Sequence, residues 1–230
     1  METHIDVILF DIDGTLFDQK LAHVMALKEI CGTSEMFEGI REEVLIKEFS
    51  RADRLALEDF NRGVPIDVVR EERSEMVLKA LGLDPELSRE FTSLFYRIYP
   101  TMRAGFPEVK DVIERTMARY RIGIISNGSK DVQREKLVSL GLSGQFEVEV
   151  YSEAIGIRKP DRRIFEHASE RMGVRSSRCM YVGDLLEVDV VGGRGAGMST
   201  CWINHHGERP DGPGPDLEIG EIRDLLEYIR

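Results

Sequence analysis

Two carboxylates stand two residues apart where an apolar run stops: Val7-Ile8-Leu9-Phe10-Asp11-Ile12-Asp13-Gly14-Thr15-Leu16. The four residues before Asp11 have high β-propensity and read as a buried strand. In an open α/β sheet, ligands bind beyond the carboxyl ends of the strands, which is where Asp11 and Asp13 fall. Two acids placed there repel each other and lose hydration. A folded chain keeps such a pair when a cation or a proton offsets the cost. A solvated Asp-Gly turn after an ordinary strand is the competing reading of the same segment.

Three later segments bear on that choice. Ile124-Ile125-Ser126-Asn127-Gly128 is an apolar strand ending in a hydroxyl. Lys159-Pro160 follows Ser152-Glu153 and Gly156. Gly183-Asp184, with Asp189 beyond it, follows the apolar stretch 179–182. Read singly, Ser126 is equally a helix cap, Lys159 a solvated surface charge, Asp184 a turn residue and Asp189 an exposed helix position. Taken in order, the four segments resemble the four motifs of the haloacid dehalogenase-like (HAD) hydrolase superfamily. Those motifs are DxDGT, a Ser or Thr, a Lys, and a final acidic pair, each at the end of a strand. The likeness covers nearly the whole chain and is thinnest between residues 18 and 102.

The resemblance implies a phosphatase, and the roles it assigns suit a phosphate ester. The phosphorus is shielded by anionic oxygens, so a nucleophile must be placed in line and the charge offset. Asp11 takes the place of the nucleophile that forms an aspartyl-phosphate. Asp13 takes that of the acid that protonates the leaving group and then, as base, activates water. Ser126 and the Asn127 backbone N–H would bind phosphoryl oxygens, and Lys159 would offset charge on the nucleophile and phosphoryl group. The implied cofactor is Mg²⁺, a hard cation suited to oxygen ligands. Its ligands would be Asp11, the main-chain carbonyl of Asp13, and Asp184, with Thr15 and Asp189 supporting them from behind.

The elements that must position these residues alternate. Strands are expected at 6–10, 121–126, 146–151, 179–182 and 200–203, and helices at 107–120, from Ser129 to Gly141, at 161–172 and at 219–229. This βαβ order predicts an α/β fold with a doubly wound parallel sheet. The run 209–215 reads as a surface loop. Between Asp11 and Ser126 lie far more residues than one crossover needs, whereas Ser126 to Lys159 leaves room for one helix, one strand and a loop. Residues 18–100 show helical periodicity, with Leu21, Val24, Met25 and Leu27 on one face, Met36 to Leu45 on a second helix, and Val68 to Leu81 on a third. A fourth starts at Asp84-Pro85, with an N-cap followed by a first-turn proline. The expected organisation is a catalytic core from 1–17 and 101–230, with 18–100 as an inserted α-helical cap subdomain. The family likeness makes this a C1-type cap, which covers the strand ends and excludes water when closed.

Composition narrows the class. The 230 residues are 42% hydrophobic and 32% charged, with a net charge of −11. That charge disfavours nucleic-acid partners but not an anionic substrate, because a local lysine and a metal invert the field in one cleft. No apolar run approaches the roughly 18 residues that span a bilayer, and the N-terminus lacks the pattern of a signal peptide. Three widely spaced cysteines (Cys31, Cys179 and Cys201) form neither a disulfide framework nor a metal motif. A cytoplasmic enzyme acting on a small phosphorylated substrate, with no membrane or nucleic-acid partner, is the expectation. His205-His206 reads as a polar loop. A phosphomutase of the β-phosphoglucomutase kind shares every core motif. A 2-haloacid dehalogenase shares the fold but generally lacks the second motif-I Asp, and a noncatalytic relic has no need of the Asp11, Asp13, Lys159 and Asp184 set.

Overall fold

The computed structural model describes residues 4–62, 64–209 and 214–229. It divides into two compact units, one of residues 1–19 and 103–230, the other of residues 20–102. The first unit contains a six-stranded, wholly parallel sheet in the order β3-β2-β1-β4-β5-β6. Its strands are β1 (Val7–Phe10), β2 (Arg121–Ser126), β3 (Val148–Tyr151), β4 (Cys179–Gly183), β5 (Ser199–Ile203) and β6 (Leu217–Ile219). The α/β, doubly wound architecture expected from the alternation is the one observed.

β1 is central because all four of its residues are buried. It pairs with β2 on one side (Phe10↔Ile124) and β4 on the other (Phe10↔Val182). Chain order reverses across β1, so the carboxyl ends of β1, β2 and β4 meet at a topological switch point, the usual binding crevice of such sheets. One face of the sheet packs Val7, Leu9, Ile125, Val148 and Val150 against Ile164, Phe165, Ala168 and Met172. Burying each of the larger of these side chains is worth ~1.5–3 kcal/mol.

Among the described residues the α-helices are α1 (Gln19–Thr33), α2 (Glu42–Asn61), α3 (Ile66–Ala80), α4 (Ser88–Ile98), α5 (Val109–Met117), α6 (Lys130–Ser139), α7 (Ser152–Ile155), α8 (Arg162–Arg171) and α9 (Val191–Gly195). In the glycine-rich turn of α9, a Cβ on Gly192 would lie 2.5 Å from the Phe165 ring, so the small residue permits close helix packing. Among the described residues, no helix is long and apolar enough to cross a membrane.

Among the described residues of the second unit, every regular element is a helix. Its interior is a ring cluster: Phe49 and Phe95 centroids lie 4.6 Å apart, Phe95 stacks on Tyr99 at 5.2 Å, and Phe37 meets Phe91 at 5.0 Å. Arg73 is buried among these rings, 4.4 Å from the Phe49 centroid, and pairs with Asp53 at 2.6 Å. Asp84 caps a 3₁₀ turn by accepting from the Glu86 N–H, and that turn runs into α4.

Several local expectations are corrected. Leu21 is exposed, whereas Leu27 of the same expected face is buried, together with Ala22, Ala26 and Ile30. Met36 and Phe37 belong to a separate 3₁₀ turn, and α2 begins only at Glu42. The helix expected over 219–229 is replaced by β6, which pairs Leu217 with Cys201, and by a 3₁₀ helix, Ile222–Glu227. Most of the loop expected at 209–215 lies outside the described residues. Cys179 and Cys201 are buried strand residues, as read from the sequence.

Candidate active site

Asp11 leaves β1 with its backbone still paired, its N–H donating to the Val182 carbonyl at 2.9 Å. Its side chain is buried beside Lys159, whose Nζ lies 2.8 Å from Asp11 Oδ1. The same Nζ donates to Asp189 Oδ1 at 2.7 Å and to the Tyr181 hydroxyl at 2.8 Å. Tyr181 in turn donates to the Ile125 carbonyl at 2.9 Å. An ammonium has three protons, and these three contacts account for all of them. Burial lowers the Lys159 affinity for its proton, but the Asp11 and Asp189 carboxylates outweigh that, so it is held above the ordinary lysine value and stays charged.

Asn127 fixes the backbone that carries the lysine. Its Nδ2 donates to the Lys159 carbonyl at 2.9 Å, and its Oδ1 accepts from the Lys159 N–H at 2.8 Å. Ser126 ends β2 and is buried. Strand ends β1 and β2 therefore place Asp11 and Ser126, and a side-chain clasp from β2 places Lys159.

Asp184 follows β4 and is half-buried. The indole N–H of Trp202 donates to its backbone carbonyl at 2.9 Å. Its Oδ1 is buried with no hydrogen-bond partner. Burial raises the Asp184 carboxyl to about 8, with Asp11 and Asp189 adding to the rise and Lys159 opposing it. Burial likewise pushes Asp11 up to about 7, against the pull of Lys159 and with help from Asp189 and Asp13. Asp189 is fully buried, one oxygen on Lys159 and the other accepting from the Leu185 N–H at 3.0 Å.

Oxygens of Asp11, Asp184 and Asp189 lie within 4.8 Å of one another. As anions, three carboxylates against one ammonium leave an excess of two negative charges in a largely buried space. An orphaned carboxylate oxygen and an all-oxygen donor set with that excess fit a hard divalent cation. Asp189 has both oxygens engaged, which leaves Asp184 and Asp11 as the side chains best disposed toward it. Gly14 is part of the same construction. It has φ +78°, and a Cβ there would sit 2.1 Å from Asp184 Oδ2, so only glycine lets the β1 loop pass this carboxylate.

Asp13 lies apart from that cluster, its carboxylate turned to α6, where Lys136 Nζ donates to Oδ1 at 2.6 Å and Gln133 Nε2 to Oδ2 at 2.8 Å. Thr15 is buried, its hydroxyl without a partner. His205, read as loop polarity, contacts the Gly14 carbonyl at 2.7 Å through Nε2 and stacks on Phe106 at 4.9 Å. Sequence reasoning missed Tyr181, Gln133 and Lys136. Tyr181 looks like ordinary strand core, but the α6 pair carries a signal: two polar residues at i and i+3 on the same face as Leu137 and Leu140, all four buried.

The haloacid dehalogenase-like hydrolase family model matches residues 5–197. The chain belongs to that family. This HAD-like hydrolase is 30% identical over 236 residues to a glyceraldehyde 3-phosphate phosphatase of Methanopyrus kandleri, covering 98% of this chain and 97% of the relative. It is 29% identical over 231 residues to the pyrimidine 5′-nucleotidase YjjG of Escherichia coli, covering 97% of each. The structure of the HAD-hydrolase YfnB from Bacillus subtilis, bound to magnesium, superposes with a TM-score of 0.86, covering 99% of both chains at 23% identity, and so shares the fold. In reaction class this HAD-like hydrolase is an enzyme of the phosphoric monoester hydrolases.

Proposed function

We propose that this HAD-like hydrolase is a Mg²⁺-dependent phosphatase that releases phosphate from a small phosphorylated metabolite through an aspartyl-phosphate. The observation that carries the reading is the buried Asp11, held by Lys159 beside the unpartnered oxygen of Asp184. The two phosphate-releasing relatives support a small monoester as substrate. In this reading an Asp11 oxygen attacks phosphorus as the bond to the leaving oxygen breaks, and Asp13 gives that oxygen its proton. Water then attacks the acyl-phosphate, Asp13 takes the proton, and inorganic phosphate leaves with Asp11 restored. Ser126 and the Asn127 backbone bind phosphoryl oxygens, and Lys159 favours the anionic form of Asp11 against the effect of burial. Mg²⁺, held by Asp184, Asp11 and the Asp13 main-chain carbonyl, supplies positive charge against the phosphoryl oxygens. Thr15 and Asp189 support these groups, and residues 20–102 carry the discrimination among leaving groups.

The test is phosphate release from a panel of sugar phosphates, phosphoglycolate and nucleoside monophosphates. EDTA should abolish it and Mg²⁺ restore it, and Asp184→Ala should raise the Mg²⁺ requirement by about tenfold or more. The metal-free protein should also respond to pH. Asp11 and Asp184 have folded values raised to about 7 and about 8, so the folded state binds protons the unfolded chain has released. Their contribution to stability is complete below about pH 4 and is lost as pH rises through 7 and 8. Mg²⁺ replaces those protons, so the rise in Tm on adding it should grow between pH 5 and 8. Undiminished phosphate release in EDTA would remove Mg²⁺ from the scheme, and a Mg²⁺ shift in Tm that is flat with pH would place the cation elsewhere.

A further inference from the structure

Lys136 is a buried charge with no part in the scheme above. It lies on α6 with its side chain 3% exposed, and Gln133, one turn earlier, is equally enclosed. A buried ammonium is costly unless paired and hydrogen-bonded, so its partner is where its purpose lies. Asp13 is one such partner. Lys136 Nζ and Gln133 Nε2 each take one oxygen of the carboxylate, at 2.6 Å and 2.8 Å. The lysine is further enclosed by Phe17, whose ring centroid is 5.2 Å from Nζ.

The arrangement links two strand ends. Asp13 follows β1, whereas α6 begins just beyond Ser126 at the end of β2. The helix that leaves the phosphate-binding strand therefore also grips the group that must move protons. With its side chain 24% exposed, an unheld Asp13 would sample several rotamers. Small misplacements of a reacting group cost large factors in rate. We infer that Lys136 and Gln133 are positioning residues that orient the Asp13 carboxylate for both of its proton transfers. This rests on the phosphatase reading of Asp11 and Asp13.

Two substrates separate the two transfers. Glycerol 2-phosphate has a poor leaving group that needs the proton from Asp13. With p-nitrophenyl phosphate, Asp11 bonds to phosphorus as p-nitrophenolate departs as a stable anion, and only the later attack of water needs Asp13. Lys136→Met keeps length and burial but removes the donor. It should lower kcat for glycerol 2-phosphate by about 30- to 100-fold, with KM changed less than about twofold. With p-nitrophenyl phosphate it should give a burst of about one equivalent of nitrophenolate, then slow turnover. Added to Asp13→Asn, it should cost less than about twofold more, because it acts only through Asp13. Gln133→Met should shift kcat the same way by a smaller factor, and decides the matter if Lys136→Met does not melt cooperatively. A near-wild-type kcat in a folded variant, or a full multiplicative loss in the Asp13→Asn background, overturns the assignment. A wild-type chain that releases no phosphate from any ester overturns the phosphatase reading first, and this inference with it.

Discussion

Asp11→Asn should abolish turnover while leaving the fold intact. The asparagine keeps the shape of the side chain and removes its nucleophilicity, so phosphate release should fall by about 10⁴-fold or more. Stability should move little, and upward if at all. Burial already holds the Asp11 carboxyl at about 7, which marks a charge poorly accommodated in the metal-free protein. Lys159 retains Asp189 and Tyr181 when Asp11 is neutral. Thermal melting with and without Mg²⁺, beside single-turnover assays, checks both halves. Turnover like wild type, or a phosphoryl group trapped on another residue, would remove Asp11 from the role of nucleophile.

Lys159→Met should fail in both respects. The lysine is the cation that lies between Asp11 and Asp189, both buried. Removing one partner of a buried ion pair typically costs ~3–5 kcal/mol, because the remaining charges lose their compensation. In a chain of this size that corresponds to a fall in Tm of about 6–20 °C. Catalysis should drop a further ~10²–10³-fold through loss of the fixed positive charge at the phosphoryl site. The double variant Lys159→Met with Asp189→Asn separates the two effects: it removes one uncompensated carboxylate and should recover part of the stability but none of the activity. Recovery of activity along with Tm would show that Lys159 serves only the fold.

What the sequence disclosed follows from how local each signal is. The strand at Val7–Phe10 and the carboxylates after it are contiguous, and a buried parallel strand cannot hide its apolar run. Asp184 and Lys159 were found the same way, as polar residues directly after apolar strands or beside proline. Gln133 and Lys136 were not, because the helix Lys130–Ser139 is polar on most of its surface, and the leucines Leu137 and Leu140 that mark their face do not by themselves tell a buried glutamine and lysine from solvated ones. Burial there is decided by Asp13, more than a hundred residues away. Tyr181 is hidden for the opposite reason, since an aromatic in a strand needs no purpose beyond packing. The end of the chain was misread because Ile222, Leu225 and Tyr228 recur every three residues, a spacing a 3₁₀ helix satisfies as well as an α-helix. The short strand Leu217–Ile219 exists only through its ladder to β5.

Trp202, the chain's single tryptophan, is almost wholly enclosed, and its indole N–H sits on the Asp184 carbonyl. An indole donor in that position ties its excited state to the dipole and charge immediately around Asp184. Intrinsic tryptophan emission from the unmodified protein is therefore a one-residue optical channel placed one hydrogen bond from the acidic cluster. It allows cation loading to be followed by titration in a cuvette, independently of any substrate, label or product, and in variants too damaged to turn over.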